Sequence, residues 1–571
     1  MSNDNRNLIL AVMLSLVVLL GWSWLANRYL PTANPPATRI ENGKQVPLPQ
    51  PQAQPTAPTT AAPKVLQSRE TVLGASARVQ IQTPSLKGSI NLKGAAIDDL
   101  TLVRQRQTIA RYSPPVRLFS PLGARGSYIA SFGWTGQGVE VPSLDTVWTS
   151  DSPTLTPGHP VTLSTTLPDG SRYEMKIAVD DGYLFTVEQR ALNGTAKPVT
   201  LRPIGLVSRA EKSADPDSWT MQVGPIGVFN EKADYDVNWS TLDKEGAKTF
   251  EGPGWLGFTD KYWLTALAPS GPMVGDFRRS PTSTGYQADY ALAPASLAPG
   301  QVMITNTRLF AGAKEKEWLD RYEEAGIPML TRAIDWGWFR WFMIPIFSLL
   351  LFLFRTLGNF GFAIIALTFI VRGIMFPIAH KQFQSMAAMR KIQPKMKAVQ
   401  ERFKDDKQRQ QQEILKLYQE EKINPAAGCL PILLQIPVFY ALYKVLLVSV
   451  EMRHQPFIGW IKDLSAPDPL SPFNLFGYAP WTLPAFLAIG VLPIMVGFTQ
   501  WLSMKLNPQP MDPAQAQVFA IMPWVLVFVM APFAAGLQLY WMTNNILTIA
   551  QQWWLYRKYG LHLSDTHPVT T

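Results

Sequence analysis

The chain has 571 residues, of which 47% are hydrophobic, and it carries a formal net charge of +10. This length allows more than one domain, and the basic balance points to anionic lipid or nucleic acid as possible partners. The single cysteine, Cys429, excludes an intramolecular disulfide. The apolar residues concentrate near the N-terminus and after about residue 340, which is typical of a membrane protein.

The sequence has none of the common motifs of metal or nucleotide enzymes. Its five histidines are scattered, and neither a His-Glu-x-x-His motif nor a Cys-x-x-Cys pair occurs. Asn42-Gly43-Lys44-Gln45 comes nearest to a phosphate-binding loop, but it lacks the leading glycine and the hydroxyl. We therefore expect no cofactor, no metal and no enzyme activity.

The N-terminal part predicts a membrane anchor followed by a flexible linker. An apolar run of 18 residues begins at Leu8, which is long enough to span a bilayer. A cleaved signal peptide is the alternative, but the candidate small residues, Gly21 and Ser23, are flanked by tryptophans. We predict an uncleaved anchor over 1–28. Residues 29–70 are rich in Pro, Gln, Thr and Ala, which favours a flexible linker.

Short alternating segments separated by turn residues predict an all-β sandwich over 71–326. The range closes with a polar helix over 314–324, which Gly326 would terminate. Alternating segments occur at 78–82, 173–179, 184–189 and 301–306.

Residues 327–358 predict an interfacial amphipathic helix region. Their apolar run, 341–354, contains Pro345 and is shorter than a typical span. In the later loop 378–427, Lys and Arg outnumber Asp and Glu by 11 to 6, which places that loop in the cytoplasm. If the N-terminus is also inside and the β domain outside, one span separates the domain from the loop. That span is 359–377, so 327–358 is expected along the outer face.

The C-terminal half predicts a polytopic α-helical core over 359–557. With the anchor, six transmembrane helices result, and both termini lie in the cytoplasm. Residues 558–571 form a short tail. The five spans of the core cover about 359–377, 429–449, 481–503, 517–534 and 536–556.

The cytoplasmic loop 378–427 predicts an antiparallel helical hairpin. The second helix covers about 407–423, and Asp405-Asp406 lies at the tip, where Asp406 suits an N-cap. From charge alone, its bases suit anionic lipids and ribosomal RNA equally well. The first helix carries one apolar stripe, formed by Ile378, Phe383, Met386, Met389, Ile392, Met396, Val399 and Phe403.

Arg372 lies inside the first core span. A charged side chain at membrane depth costs at least about 2.5–3.5 kcal/mol on insertion scales, so it usually lines a polar cavity. The alternative is that Arg372, five residues before Pro377 and so roughly 8 Å from it along the helix, snorkels to the headgroups. Each further polar side chain can be satisfied on neighbouring backbone, but together they could wet one shared cavity. Those polar residues are Thr368, Gln435, Gln500, Gln538, Asn544 and Asn545.

Several motifs in fixed order identify a family resemblance, most strongly from 335 to 557. With them, the chain resembles the YidC family of membrane protein insertases in its Gram-negative form, which has a large periplasmic domain. The motifs are Arg6-Asn-Leu, Asp335-Trp-Gly-Trp338, Thr368-Phe-Ile-Val-Arg-Gly-Ile-Met375, Gln393-Pro394, Asp405-Asp-Lys-Gln-Arg409, Asn424-Pro-x-x-Gly-Cys429, Gln435-x-Pro437, Asp463-Leu-Ser465 and Gln551-Gln552.

The resemblance implies an inner-membrane protein with a five-helix core around a hydrophilic groove, open to the cytoplasm and lipid and closed to the periplasm. The family often has a tyrosine pair where this chain has Tyr540-Trp541. The implied groove residues are Arg372, Thr368, Gln435, Tyr540, Trp541 and Asn544. The implied hydrophobic slide for clients consists of Leu434, Phe439, Phe528 and Met530, and the hairpin surface for partners of Asp405, Asp406, Lys407 and Arg409.

The resemblance also implies partners and a reaction without nucleotide hydrolysis. The partners are nascent membrane proteins, the ribosome, the Sec translocon with its accessory subunits, the signal recognition particle or its receptor, and anionic lipids. The implied function is insertion and chaperoning of membrane proteins, alone or beside the Sec translocon. Two alternatives are a secondary transporter with Arg372 as substrate site, which would need repeated halves that the sequence lacks, and a scaffold that only anchors the β domain.

Overall fold

The computed structural model describes most of the chain outside the N-terminus. The described residues are 38–41, 44–47, 66–215, 221–280, 285–404, 406–421, 430–479, 484, 487–506 and 513–558, and only the backbone is described at 38–41, 44–47, 381–383, 385–391, 393, 407, 430–434, 477 and 513–516. The predicted anchor over 1–28, Asp405 and the tail after residue 558 lie outside the described residues. The chain divides into two units, one formed by 1–64 with 507–523 and the other by 65–506 with 524–571.

A β-hairpin lies within the predicted flexible linker. Strands β1 (Thr38–Glu41) and β2 (Lys44–Pro47) pair antiparallel in the first unit. The prediction of a structureless linker over 29–70 is therefore wrong at these residues. Asn42-Gly43 stands between the two strands in the sequence, and this dipeptide is a strong hairpin signal. The Pro-rich composition concealed that signal.

The second unit contains the β domain. The predicted strands are present. The alternation at 78–82 is strand β3 (Arg78–Gln82), the segments at 173–179 and 184–189 lie in β11 (Arg172–Val179) and β12 (Leu184–Leu192), and the segment at 301–306 overlaps β22 (Val302–Ala313). Its strands are β3 (Arg78–Gln82), β4 (Leu86–Asn91), β5 (Ala96–Arg106), β6 (Pro115–Phe119), β7 (Tyr128–Gln137), β8 (Thr149–Ser150), β9 (Thr154–Leu155), β10 (Val161–Thr166), β11 (Arg172–Val179), β12 (Leu184–Leu192), β13 (Val199–Arg209), β14 (Gly224–Phe229), β15 (Lys232–Asp234), β16 (Ala247–Gly252), β17 (Gly254–Thr259), β18 (Trp263–Pro269), β19 (Met273–Arg279), β20 (Tyr286–Leu292), β21 (Ala295–Leu297) and β22 (Val302–Ala313).

These strands form two large sheets, as the sandwich prediction requires. One sheet has nine strands in the order β15-β14-β17-β18-β22-β12-β11-β10-β8. The other has eleven, with β16-β19-β20-β13-β7-β5-β4-β3-β9 in line, β21 beside β13 and β6 beside β5. Neighbouring strands are antiparallel except β3 and β9. The all-β sandwich is thus confirmed.

The domain core lies between the two sheets. Buried and half-buried residues alternate strictly along β13, which is the period that a strand with one buried face requires. Tyr290 of one sheet shares a 2.5 Å hydrogen bond with Thr307 of the other. Its ring passes over Gly205, where an added Cβ would lie 2.5 Å from the ring carbon Cε1. The close approach explains the glycine, because any side chain would displace the tyrosine.

Ten α-helices and two short 3-10 helices are described. One of the 3-10 helices, Pro472–Gly477, lies in the long loop that follows residue 450. The α-helices are α1 (Arg69–Gly74), α2 (Trp239–Glu245), α3 (Lys316–Glu324), α4 (Arg340–Leu357), α5 (Phe360–Arg402), α6 (Lys407–Glu420), α7 (Leu430–Val448), α8 (Val491–Leu506), α9 (Pro513–Met530) and α10 (Ala535–Lys558), and a further 3-10 helix covers Leu330–Ala333.

Two helix boundaries differ from the boundaries of the predicted spans. Helix α5 begins with the predicted span 359–377 but continues past Pro377 to Arg402, for 43 residues in all. The span predicted at 481–503 begins only at Val491, and the described residues 487–490 are not helical. Pro493 is part of the reason, since a proline has no backbone N–H to donate to residue 489 and is therefore tolerated only in the first turn of a helix.

Helix α4 is longer than its apolar run suggested. It has 18 residues with Pro345 inside, and it is long and apolar enough to cross a membrane, as is the Phe360–His380 part of α5. The length of α4 therefore does not decide whether the helix in 327–358 lies along the membrane surface or spans the membrane. The interfacial location stays a prediction.

The β domain packs on the loop that follows α7. Glu451 accepts the backbone N–H of Lys316 at 2.9 Å and the hydroxyl of Ser449 at 3.0 Å. Arg453 donates to the carbonyl oxygens of Arg106 and Gln107 at 2.6 and 3.2 Å. Burial raises the pKa of the Glu451 carboxyl, and the hydrogen bonds from Lys316 and Ser449 oppose that rise. These contacts fix the domain to the helical core.

Candidate functional site

The candidate site is built on α10, which packs against α5, α7 and α8. Its sequence places polar residues at positions 541, 544, 545 and 548, a spacing of three or four that aligns them on one side of a helix. The polar strip faces Arg372 on α5 and the polar residues of α8 through the contacts below.

Arg372 turns toward α10. Its Nε donates to Oδ1 of Asn544 at 2.7 Å, and one terminal nitrogen donates to the Asn544 carbonyl at 3.3 Å and to the Thr548 hydroxyl. The half-buried guanidinium therefore bonds to a neighbouring helix and does not run along its own helix toward the headgroups. Among the described residues its partners are neutral, and no carboxylate forms an ion pair with it. The positive charge is hydrogen-bonded but not compensated.

A second set of contacts links α10 to α7. The Gln435 amide donates to the Tyr540 hydroxyl, and the tyrosine is buried. Phe439, one turn further along α7, meets the Trp541 ring edge-on at 4.7 Å between centroids. The two residues of the Tyr540-Trp541 pair thus differ in burial: the tyrosine packs in the interior between the helices, and the tryptophan is half-buried.

The third set links α10 to α8. Trp541 Nε1 donates to Oε1 of Gln500 at 3.2 Å, and the Asn545 amide donates to the Thr499 hydroxyl at 3.2 Å. Gln538 serves a different purpose, since its amide donates to the carbonyls of Met530 and Phe533 at 2.8 Å each. It caps the end of α9 and fixes the turn into α10.

Thr368 does not take part in this cluster. It is fully buried, and its hydroxyl donates to the Ile364 carbonyl of its own helix at 2.7 Å. The assignment of Thr368 to the groove lining stays a prediction, and within the described residues its hydrogen bond is internal to α5. This is the usual way in which a threonine satisfies itself in an apolar helix.

The predicted slide residues divide into exposed and buried ones. Phe528 is 58% exposed, whereas Met530 is 2% exposed. Met530 packs toward the interior, so Phe528 is the one of these two residues that lies on the surface. Phe439 is half-buried beside Trp541, and the side chain of Leu434 lies outside the described residues. The exposed apolar surface of α9 continues through Val525 and Val529.

Sequence reasoning missed two residues of this region. Thr548, which bonds to Arg372, was overlooked because a lone threonine in a helix gives little signal. Lys444 was overlooked although it is a charged residue inside the predicted span 429–449. Its side chain is 2% exposed, and its ammonium lies 3.0 Å from Oδ2 of Asp335. A lysine within the apolar run 441–450 was the available signal.

In the described part of the hairpin predicted at 378–427, the C-terminal part of α5 is followed by α6, and the two helices contact each other. Asp406 is the N-cap, accepting the backbone N–H of Arg409 at 3.0 Å, as predicted. Lys395 and Glu421 join the two helices at 2.5 Å. Arg409 lies over the Phe403 ring at 5.6 Å, and the side chain of Lys407 lies outside the described residues. Of the apolar stripe, Ile392 and Met396 are buried.

The described residues hold no cluster of three or more His, Cys, Asp or Glu side chains that could bind a metal. In the cluster around Arg372, the groups present are a guanidinium, amides, hydroxyls and an indole. Such a set can bind and release an anionic or polar peptide group through hydrogen bonds. It offers none of the nucleophile and base pairs that covalent catalysis uses.

Comparison with known proteins places both halves of the chain. Residues 78–349 match the family model of the YidC periplasmic domain, and residues 352–561 match that of the 60Kd inner membrane protein. The Membrane protein insertase YidC of Zymomonas mobilis is 46% identical over 98% of this chain and 96% of its own length. Its namesake from Rhizobium meliloti is 44% identical, again over 98% and 96%.

A solved structure of an active YidC insertase is 18% identical and covers 83% of this chain and 92% of its own, with a TM-score of 0.36. We draw nothing on the fold from so low a value. The transporter alternative finds no support among these relatives. On the identity and coverage of its relatives and the match of both family models, the chain belongs to the YidC family of membrane protein insertases.

Proposed function

We propose that this protein is an insertase and chaperone that lowers the barrier for nascent transmembrane segments entering the inner membrane. The observation that carries the proposal is the guanidinium of Arg372, which sits in an apolar helix with neutral partners on α10. An uncompensated charge of this kind attracts the polar or acidic flank of a client. We propose that the protein acts either alone or beside the Sec translocon.

The proposed mechanism exchanges hydrogen bonds at Arg372. A client carboxylate replaces Asn544 and Thr548 as the acceptor of the hydrogen bonds that the Arg372 guanidinium donates. It forms a bidentate, charge-assisted pair with the guanidinium. Gln435, Tyr540 and Trp541 supply further polar contacts, so the client's flank does not pay the full cost of leaving water. A membrane potential then assists transfer of each acidic charge outward by about 2.3 kcal/mol per 100 mV.

The client's apolar segment is proposed to move along the exposed surface of α9. Phe528, Val525 and Val529 are each about half exposed or more, and an aromatic and aliphatic face of this kind matches a client helix in lipid. Together with Phe439 and the Leu434 position on α7, this face constitutes the proposed slide.

The proposed topology has six spans, with both termini in the cytoplasm and the β domain in the periplasm. The candidate span Phe360–His380 within α5, the apolar helical stretches Gln435–Val448 and Gln517–Met530 and the charge distribution support it. We keep the interfacial assignment of 327–358, so that α5, α7, α8, α9 and α10 form the core.

The hairpin is proposed as the surface for cytoplasmic partners. The exposed bases near its tip, with Arg409 beside the N-cap Asp406, suit the phosphates of ribosomal RNA and the acidic surface of a targeting factor. The proposed partners are the ribosome, the signal recognition particle or its receptor, the Sec translocon and anionic lipids.

The decisive experiment measures insertion into vesicles that contain the purified protein. The client is a short protein with two acidic residues flanking one apolar segment. Arg372→Ala is expected to reduce its insertion roughly tenfold or more, since a charge-assisted bond contributes about 1.5–3 kcal/mol, and Arg372→Lys is expected to restore part of it. A client with both acids changed to amides is the matched control, and its insertion should not respond to Arg372→Ala. Equal insertion of the acidic client by wild type and Arg372→Ala refutes the mechanism.

A crosslinking experiment tests the slide. A photoreactive residue at Phe528 is expected to capture nascent chains, whereas one at the buried Met530 on the same helix should not. Equal yields at the two positions would remove α9 from the client path. Solute uptake into the same vesicles would revive the transporter alternative.

A further inference from the structure

A cavity of about 550 Å³ opens where the β domain meets the start of α4. Its walls combine polar residues of the β domain with the segment that leads into the helix. A volume of this size is ordinary for a small-molecule or headgroup site. The residues used below are Gln222, Tyr235, Asn238, Arg332, Trp338 and Arg340.

Two arginines give the cavity a positive charge. Arg332 and Arg340 both line it, and neither forms an ion pair with a carboxylate in the described part of the chain. Asp335 also lines the cavity, but its two oxygens are engaged by Lys444 at 3.0 Å and by the Gly337 N–H at 2.9 Å. The Asp335 carboxylate is therefore already paired with a lysine, and Glu323 and Asp320 act on Arg340 only from beyond ion-pair distance.

The hydrogen-bonding capacity of these arginines is largely unused. The Nε of Arg332 is buried and has no hydrogen-bond partner among the described residues. Arg340 donates to the Thr331 hydroxyl at 3.1 Å, and a guanidinium has five N–H donors in all. Tyr235 holds the segment in place by donating to the Arg332 carbonyl at 2.9 Å.

Aromatic residues place the cavity beside the membrane surface. Trp338 lines it and is 82% exposed. Phe339 joins Trp338 and Trp341 in one aromatic cluster, with centroid separations of 4.9 and 5.1 Å. Exposed tryptophans at the start of an apolar helix are typical of the headgroup level. The anion within reach of this site is a lipid phosphate.

We propose that this cavity binds the phosphate of an anionic phospholipid headgroup, with Arg332 and Arg340 as its two ligands. The planar guanidinium matches the geometry of phosphate oxygens in bidentate pairs. Tyr235, Gln222 and Asn238 line the wall where the hydroxyls of a glycerol headgroup would lie. The site lies outside the groove around Arg372, so the proposal does not depend on the insertion mechanism.

The test titrates the full-length protein in detergent with short-chain phosphatidylglycerol and follows the thermal unfolding midpoint. The apparent Kd is expected to rise roughly tenfold or more in Arg332→Gln and in Arg340→Gln, because each variant loses a charge-assisted pair. Arg355→Gln, which removes a charge from the exposed end of the same helix α4, is the matched control and should bind as wild type. Wild-type affinity in both cavity variants overturns the proposal.

Two further arms separate the sources of phosphate and guard against misfolding. Short-chain phosphatidylcholine should stabilise the protein far less than phosphatidylglycerol. If inorganic phosphate reproduces the stabilisation with the same dependence on both arginines, the ligand is free phosphate and the lipid assignment is overturned. Where a glutamine variant fails to fold, a photoreactive residue at Trp338 replaces it. This residue should capture labelled phosphatidylglycerol, whereas one at the equally exposed Tyr478 should not, and equal capture overturns the proposal.

Discussion

The buried pair between Lys444 and Asp335 allows a quantitative prediction. The ammonium of Lys444 is nearly inaccessible, and Asp335 keeps 22% of its side-chain surface exposed. Removing one partner of a buried ion pair typically costs 3–5 kcal/mol, because the other charge stays buried. For Asp335→Asn we expect the lower end, about 3 kcal/mol. We expect this loss of stability at the contact between α7 and the segment before α4.

The reverse substitution should cost less. Lys444→Met removes the buried charge and fills the space of the lysine stem, and Asp335 keeps both solvent and its bond from Gly337. We therefore expect the double variant Asp335→Asn/Lys444→Met to be more stable than Asp335→Asn alone. Lys462→Met, which changes an exposed lysine of the following loop, is the matched control.

Hydrogen exchange at the amides of α7 provides the measurement. A loss of about 3 kcal/mol in the local opening free energy accelerates exchange roughly 100-fold, at 1.4 kcal/mol per tenfold change. Asp335→Asn should show this acceleration around Lys444, and the double variant should show less of it. If the two substitutions are additive, or the double variant exchanges fastest, the pair is not coupled and the reasoning is refuted.

Three further predictions concern the β domain and the hairpin. Burial lowers the pKa of Lys314 to about 8 from its ordinary 10.5. Between pH 8 and 10.5 the unfolded chain therefore binds more protons than the folded one, so the free energy of unfolding should rise over this range by on the order of 3 kcal/mol. Thermal unfolding midpoints should show this rise for the wild type and not for Lys314→Met. Gly205→Ala should destabilise the domain by about 1–3 kcal/mol in denaturant unfolding, because its Cβ meets the Tyr290 ring, and a wild-type value would contradict this packing. Asp406→Ala should cost about 1 kcal/mol of α6 stability, measured by hydrogen exchange in the hairpin, whereas Gln411→Ala at an exposed position should have little effect.

The sequence predicts the β domain and the hairpin cap well because their signals are local. Alternation along β3, β11 and β12 depends on the strand period, and Asp406 before a helix is a local capping signal. The hairpin of β1 and β2 was missed because the composition of a whole stretch outweighed one Asn-Gly dipeptide.

The site was only partly predictable because it depends on contacts between helices. Arg372 is identifiable from its own span, but its turn toward α10 depends on Asn544 and Thr548, 172 and 176 residues later. Thr368 and Met530 were assigned by their place in a span, and the helix face that each occupies directs them to the interior. Lys444 pairs with Asp335, 109 residues earlier, and the periodicity of a sequence predicts only contacts between residues a few positions apart.

The unbroken course of α5 has a mechanical consequence. At 1.5 Å per residue, its 43 residues form a rod of about 64 Å that carries Arg372 in one half and the hairpin seam in the other. Pro377 and Pro394 are its two weak points, since each removes a backbone hydrogen bond. We therefore expect α5 to couple the hairpin tip mechanically to the segment that holds the Arg372 guanidinium, with bending concentrated at the two prolines.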